Sequence, residues 1–470
     1  MESGLAARHG GRAGLAALVV VLLLGLGLRL GEAWDGRAPV YDAKAYAAIA
    51  ANLEAGEGFT VGSQATQPSS NYSPGLPLFV AGLYEVTGGV HERLARVVLA
   101  LIGTLSVLFA YVIARRLTAG GKIQRTLKNV PPGGENSAFA EFWPALVGAA
   151  VVAIYPALLE YQGMLMSEPL AATLLSGGVL AVLWAWGGTW ARWLLPGALF
   201  GALALVRPEY LGVAVLIAVV VFAWEAREWR PSLVRAAVFL AAAFVVIAPW
   251  TLRNAVALDR LVPISTGGGQ VLYAGTYLPS DGDPEKVGAA VVAENPDLFS
   301  PRDAQDLRLE QILAQLAADR YPGMETDEAL SKLGKEQLWD DVSEEPVEYA
   351  GFVATKIGRI WSHGPRDVMR EPGWEVLHWA LVAFGLLGLA ILAWRRRWEA
   401  LLLGTIFLAI TAISALLVAS PRRVLVLVPL LAALTPVAIV WARERLASYR
   451  RRSARNSPSA PASPDSLGAS

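Results

Sequence analysis

The sequence predicts an all-α polytopic membrane protein, a bundle of about ten transmembrane helices with a long first outer loop and a small, mainly helical outer domain. Three observations predict it. Hydrophobic residues make up 54% of the 470 and charged residues only 17%, against about 25% charged in soluble domains. The apolar residues gather in runs long enough to cross ~30 Å of hydrocarbon. The 16 tryptophans suit a chain with two membrane–water interfaces, where indole rings settle.

The first run, Ala13 to Leu28, follows Arg8 and Arg12. The stretch behind it, Arg29-Leu30-Gly31-Glu32-Ala33-Trp34, lacks a small-x-small cleavage site, so the run reads as an uncleaved signal anchor. Further runs cover 94–114, 142–159, 168–186, 193–206, 208–224, 233–249, 375–394, 399–418 and 423–441. Arg207-Pro208-Glu209 separates two of them as a tight turn, because proline disfavours helix in the residue before it.

Basic residues set the orientation. With the N-terminus in the cytoplasm and the spans alternating, 20 of the 40 Lys and Arg fall in short inner loops and tails, the positive-inside pattern. This predicts a multi-pass protein of the cytoplasmic (inner) membrane with both termini cytoplasmic. The organisation follows: 1–258, an N-terminal transmembrane region carrying the outer loop 32–93; 259–372, an extracytoplasmic domain; 373–445, C-terminal transmembrane helices; 446–470, a disordered cytoplasmic tail. Between Ser280 and Glu345 there are 17 acids against 6 bases, so this stretch is solvated. It reads as helical, with a capped start at Ser300-Pro301 and a second amphipathic stretch from Pro346 to Trp361.

Composition also excludes chemistries. With no cysteine there are no disulfides, thiolate metal sites or cysteine nucleophiles. His9, His91, His363 and His378 are scattered, and no metal site is assigned to them. A formal net charge of zero gives no reason to expect a nucleic-acid partner.

A few polar residues stand out at the predicted outer face. Asp42 starts a short interfacial helix in which Tyr46, Ile49, Ala50 and Leu53 share one side and Gly56 ends the run. It caps that helix, serves chemistry, or does both. Glu168, in Ser167-Glu168-Pro169-Leu170, begins the fourth span or faces a cavity, since charge near bilayer depth is costly. Glu160, nearby, sits closer to a plain loop position. Arg207 with Glu209, Arg253 beside Asn254, and Arg422-Arg423 place cations where positive-inside bias disfavours them. Singly they read as snorkelling to headgroups. As a set with two acids on one face they point to a phosphate-bearing ligand.

These residues carry a resemblance. Asp42-Ala43-x-x-Tyr46-x-x-Ile49-Ala50-x-Asn52-Leu53-x-x-Gly56-x-Gly58-Phe59, followed by Ser73-Pro74-Gly75-Leu76-Pro77, resembles the first outer loop of family-39-type glycosyltransferases. These are the bacterial relatives of protein mannosyltransferases and of lipid A aminoarabinose transferase, with the GT-C membrane fold. Ser167-Glu168-Pro169-Leu170, Leu205-Val206-Arg207-Pro208-Glu209, and Pro249-Trp250-Thr251-Leu252-Arg253-Asn254 running on to Val262-Pro263-Ile264-Ser265-Thr266 are similar to later landmarks, in order.

The resemblance implies an inverting transfer of a sugar from a polyprenyl-phosphate carrier to a lipid, glycan or protein acceptor at the outer membrane face. It implies Asp42 as general base and Glu168 as a second acid that orients substrate or, as the lesser alternative, ligates a divalent metal ion. Arg422, Arg423, Arg253 and Arg207 would bind the donor phosphate, and Tyr46, Lys44, Glu209 and Asn254 the substrate. Many relatives carry two adjacent acids in the first loop. Here Ala43 follows Asp42, which removes one possible metal ligand and argues against a divalent-metal requirement. The rival class is a transporter or flippase for a phosphate-bearing lipid or glycan. Transporters place their site near the midplane between repeated halves, whereas these charges gather at one interface.

Overall fold

The computed structural model describes residues 2–37, 42–61, 68–119, 136–224 and 228–456. Lys122, Arg125, Lys128 and Arg227 of the basic count lie outside them, as does the Ser/Pro-rich tail beyond residue 456. The described residues are helical, without strands. Seven helices are long and apolar enough to cross a membrane, within α1 (Glu2–Asp35), α4 (Glu92–Ala119), α7 (Ser167–Ala185), α10 (Trp229–Leu258), α17 (Pro372–Trp394), α18 (Trp398–Leu416) and α19 (Arg422–Asn456). A pair bent by 40°, α5 (Asn136–Ile154) and α6 (Pro156–Gly163), makes an eighth when counted as one broken span. Two shorter apolar helices, α8 (Leu194–Val206) and α9 (Tyr210–Trp224), take the fifth and sixth predicted runs. The chain is a multi-pass membrane protein.

The bend has a covalent cause. Pro156 has no N–H to offer the Val152 carbonyl one turn back, so the α5 ladder breaks there. Arg29 of α1, 2% exposed, supplies the missing donors: Nη2 to Val152 O at 3.0 Å and Nη1 to Ala153 O at 3.2 Å. A buried guanidinium in a span needs such partners.

The last span is the axis of the bundle. From Val424 to Leu434 α19 is apolar on every side, which fits a helix enclosed all round. It packs against α4, α5, α7 and α17. Gly148 of α5 and Gly388 of α17 let backbones approach, since a Cβ at either would strike the α19 carbonyls of Ala432 and Leu434. The α19 helix runs on to Asn456, past the boundary at 445 where the sequence reading ended the transmembrane region.

Two longer segments join the spans, and the first packs into the bundle core through Ala43, Tyr46, Leu76 and Val80. The first, between α1 and α4, holds α2 (Asp42–Glu54), with the predicted start and face, and α3 (Gly75–Thr87), an apolar helix not foreseen. The second contains α11 (Gly268–Thr276), α12 (Val287–Glu294), α13 (Asp303–Asp306), α14 (Leu309–Arg320), α15 (Thr326–Glu344) and α16 (Pro346–Ser362). It has its own core, built on Tyr273, Val287, Ile312, Leu313 and Leu330.

Candidate functional site

Backbone breaks in three places set the site. The link from α6 to α7 reverses at Leu165, whose φ is 56°, and Met166 is extended, so Ser167-Glu168 open α7. Arg207 ends α8 in an extended conformation because Pro208 excludes helix there. The start of α3 lies against that end: a Cβ on Gly75 would sit 2.7 Å from Val206 N, so only glycine allows the approach. Ser420-Pro421 precede α19, whose first residues are Arg422 and Arg423. Asp42 is the first residue of α2.

These ends converge in an alternating chain of charges. Arg422 Nη2 donates to Asp42 Oδ2 at 2.9 Å and its Nε to Glu168 Oε1 at 2.5 Å. Arg207 Nη2 lies 3.5 Å from the same Glu168 oxygen, and Arg207 Nε donates to Glu209 Oε1 at 3.4 Å. Arg423 Nε stands 4.0 Å from Glu209, and its Nη1 donates to the Val418 carbonyl. Three carboxylates face three guanidinium groups, so the chain is neutral as a whole. Charge-assisted pairs of this kind are short and strong.

Burial runs along the chain. The Glu168 side chain is 0% exposed, Arg207 12%, Arg422 25% and Asp42 39%. Glu209 at 18% and Arg423 at 12% lie beyond, so the chain is sealed at Glu168 in its middle and most open at its Asp42 end. Some inner atoms are left over: Glu168 Oε2, Arg207 Nη1 and Tyr210 Oη are buried and without a partner. Such atoms cost stability unless something fills their valences.

Aromatic rings frame the chain. Arg422 lies 5.9 Å from the Tyr161 ring centre. Tyr46 is buried on α2 and meets Tyr72 edge-on at 6.0 Å. Burial, then the Asp42 and Glu168 carboxylates, push the Tyr46 hydroxyl pKa up, so it remains a proton donor. Lys44 is exposed on α2.

Two of the expected residues are elsewhere. Arg253 Nη1 donates to Ser69 O and to Asn254 Oδ1, both at 3.0 Å, and Nη2 to Phe59 O at 3.4 Å. It lies over the Trp250 ring at 4.9 Å. Asn254 is buried and its Nδ2 donates to Val262 O and Ile264 O, each at 3.1 Å. Both tie loops to α10, and neither joins the charge chain. Their outward position in the sequence carried no information on which way the side chains turn. Glu160 also departs from its reading as a plain loop residue: it is buried on α6 and accepts from Arg37 and Arg366, both at 2.8 Å. Sequence reasoning missed Tyr161, Arg37 and Arg366, which match no motif and meet their partners only through the fold.

Among the described residues no three His, Cys, Asp or Glu gather where a metal ion could sit. Arg422 lies between Asp42 and Glu168 and occupies an oxygen of each. A cation would have to displace it, so the donor set does not fit a metal.

No protein-family model matches the chain, and a search of curated proteins finds no match. Solved structures do match. The Archaeoglobus fulgidus oligosaccharyltransferase AglB, in complex with an inhibitory peptide and a dolichol-phosphate, is 18% identical with a TM-score of 0.54, over 96% of this chain and 52% of that one. The same enzyme in complex with zinc and sulfate is 16% identical with a TM-score of 0.52, over 92% and 49%. The chain thus spans about half the length of these structures. ArnT from Cupriavidus metallidurans, bound to undecaprenyl phosphate, is 14% identical over 94% of this chain and 81% of that one. Its TM-score of 0.39 is too low to argue from. The likeness to AglB shows the fold, a GT-C-like helical membrane bundle, as the sequence predicts.

Proposed function

We propose that the protein is an inverting glycosyltransferase that moves a sugar from a polyprenyl-phosphate carrier to an acceptor hydroxyl at the non-cytoplasmic face of the membrane. One observation carries the reading: residues 42, 168, 207, 209, 422 and 423, far apart in sequence, join in one charge chain whose open end is a carboxylate. The occurrence of this fold in an oligosaccharyltransferase solved with a dolichol-phosphate supports it.

The geometry suggests a division of labour. Asp42 has one oxygen on Arg422 and a side chain open to solvent. It takes the proton of the acceptor hydroxyl as that oxygen attacks the anomeric carbon. A positioned base of this kind contributes ~10²–10⁴-fold. The bond from the anomeric carbon to the phosphate oxygen breaks, and its electron pair leaves with the polyprenyl phosphate. The phosphate gains a negative charge as Asp42 loses one. Arg422, released from a protonated Asp42, is then free to face the phosphate, with Arg207 and Arg423 behind it. Glu168 holds Arg422 and Arg207 in place. Arg253 and Asn254 act only through the loops they hold.

The test is transfer by the purified full-length chain in proteoliposomes, using a panel of polyprenyl-phosphate sugars, with Asp42→Asn beside the wild type. Transfer by the wild type that is lost in a normally inserted Asn variant supports the reading. Transfer by the variant at the wild-type rate removes Asp42 as base. Flux of an intact substrate without transfer would make the protein a transporter. The chain has no cysteine, so single cysteines at Ser300 and Arg192 report sidedness; labelling of the first from the cytoplasmic side overturns the orientation.

A further inference from the structure

A second charged centre lies one residue along α6 from Tyr161. Glu160 Oε1 accepts from Arg37 Nη1 and Arg366 Nη2, and Arg37 Nε also donates to Glu32 Oε2 at 3.2 Å. Arg366 delivers its guanidinium from a backbone at φ 84°, a left-handed value that a side chain rarely adopts. The second carboxylate oxygen, Glu160 Oε2, is buried and has no partner, in a residue only 8% exposed. An unsatisfied buried carboxylate oxygen is a costly arrangement that a donor relieves.

Glu160 lines a cavity of about 630 Å³, within the size range of small-ligand sites. Glu32, Glu160, Asp367 and Glu371 line it against Arg37. Counting Arg366 as well leaves an excess of two negative charges, so the cavity favours a cation. Its apolar wall includes Leu28 and Trp374, which lie near the ends of the spans α1 and α17. A cavity at that level meets headgroups on one side and hydrocarbon on the other.

We infer that this cavity binds the head group of a membrane amphiphile carrying a primary ammonium, with the nitrogen on Glu160 and the chain along Leu28 and Trp374. An aminophospholipid has this chemistry, and its phosphate suits Arg37. The site is separate from the charge chain at Asp42, and the inference does not depend on sugar transfer.

The experiment is native mass spectrometry of the full-length protein in detergent, offered equimolar phosphatidylethanolamine, phosphatidylglycerol and phosphatidylcholine. Phosphatidylethanolamine should be retained about tenfold over phosphatidylglycerol, the yield of one charge-assisted hydrogen bond. It should also exceed phosphatidylcholine, whose quaternary nitrogen has no N–H to donate. Glu160→Gln should abolish the preference in protein that still folds, at a lower melting temperature because a buried ion pair is lost. If that variant fails to fold, Glu371→Gln, exposed at the rim, decides by weakening it. Equal retention of the three lipids, or an unchanged preference in the folded variants, overturns the assignment. Retention of phosphatidylcholine equal to phosphatidylethanolamine overturns the hydrogen bond to Glu160.

Discussion

Arg422 holds two carboxylates that differ in burial, and that difference predicts which variant hurts stability and which hurts chemistry. Glu168 accepts at 2.5 Å with its side chain 0% exposed, Asp42 at 2.9 Å with its side chain 39% exposed. Exposed ion pairs are worth about 0–1 kcal/mol, whereas breaking a buried one costs about 3–5 kcal/mol. Glu168→Gln falls at the low end, about 3 kcal/mol, because Arg422 keeps Asp42 and Arg207 keeps Glu209. Asp42→Asn should change stability by about 1 kcal/mol or less and transfer by ~10²–10⁴-fold. Arg422→Gln should be the least stable of the three, since it leaves Glu168 with only Arg207, at 3.5 Å, among the partners that ion pairing gives it.

The assay pairs unfolding followed by tryptophan fluorescence, which the 16 indoles make sensitive, with transfer from a polyprenyl-phosphate sugar. Equal destabilisation by Asp42→Asn and Glu168→Gln would refute the burial argument. A fully active Asp42→Asn would refute the assignment of the base.

Other sites give sharper structural tests. Lys356 of α16 is buried, its Nζ donating to Gly275 O at 2.5 Å and Ala415 O at 2.6 Å. Burial, then Arg423, push its pKa down to about 7 from 10.5. The unfolded chain binds the extra proton between those values, so stability of the segment α11–α16 should rise with pH from about 7 to 10.5, and Lys356→Met should flatten that slope in hydrogen exchange. Arg253→Ala removes the donors to Phe59 O and Ser69 O, so protease cleavage near those residues should quicken while the melting temperature barely moves. Gly275→Val drives a Cβ into the backbone of Leu417 and should cost about 1–3 kcal/mol or more by parting α11 from α18, read as a lower melting temperature.

The spans were legible because the bilayer imposes a length and an apolar composition that few other structures share. The kink after Ile154 follows from Pro156, yet the buried Arg29 that satisfies it could not be read, since it lies at the end of an apolar run and resembles a flanking cation. The central place of α19 is written in Val424 to Leu434, apolar on all sides, although sequence alone does not say which helices enclose it. The charge chain was half legible. Asp42, Glu168, Arg207, Glu209 and the Arg422-Arg423 pair stand out because charge at a span end is unusual, but their pairing order depends on helix ends that are distant in sequence. Arg253 could not be placed from sequence: its position at a span end does not say that the side chain turns to the loop carrying Phe59 and Ser69 instead of to the charge chain. Glu160 shows the reverse, an ordinary context hiding a buried carboxylate with two arginines.

The neutrality of the charge chain carries a last prediction. Three acids balance three bases before any ligand arrives, so a bound polyprenyl phosphate adds uncompensated negative charge unless an acid takes a proton. In the proposed reaction Asp42 takes one from the acceptor as the phosphate gains a charge, so the total stays one negative, held as a dianion against a positive chain, until product leaves. Removing an acid that is not the base should trap that product. Glu209→Gln frees Arg423 and one contact of Arg207 without touching Asp42 or Glu168. The chain then carries one net positive charge. At ~6 Å and an effective dielectric of 20 to 80, one added charge attracts the phosphate by about 1–3 kcal/mol, so Kd for polyprenyl phosphate should fall about tenfold. Turnover should slow wherever product release limits it, with single-turnover transfer nearly unchanged. Binding of polyprenyl phosphate that is unaltered or weaker in Glu209→Gln would show that Arg207 and Arg423 do not face the phosphate.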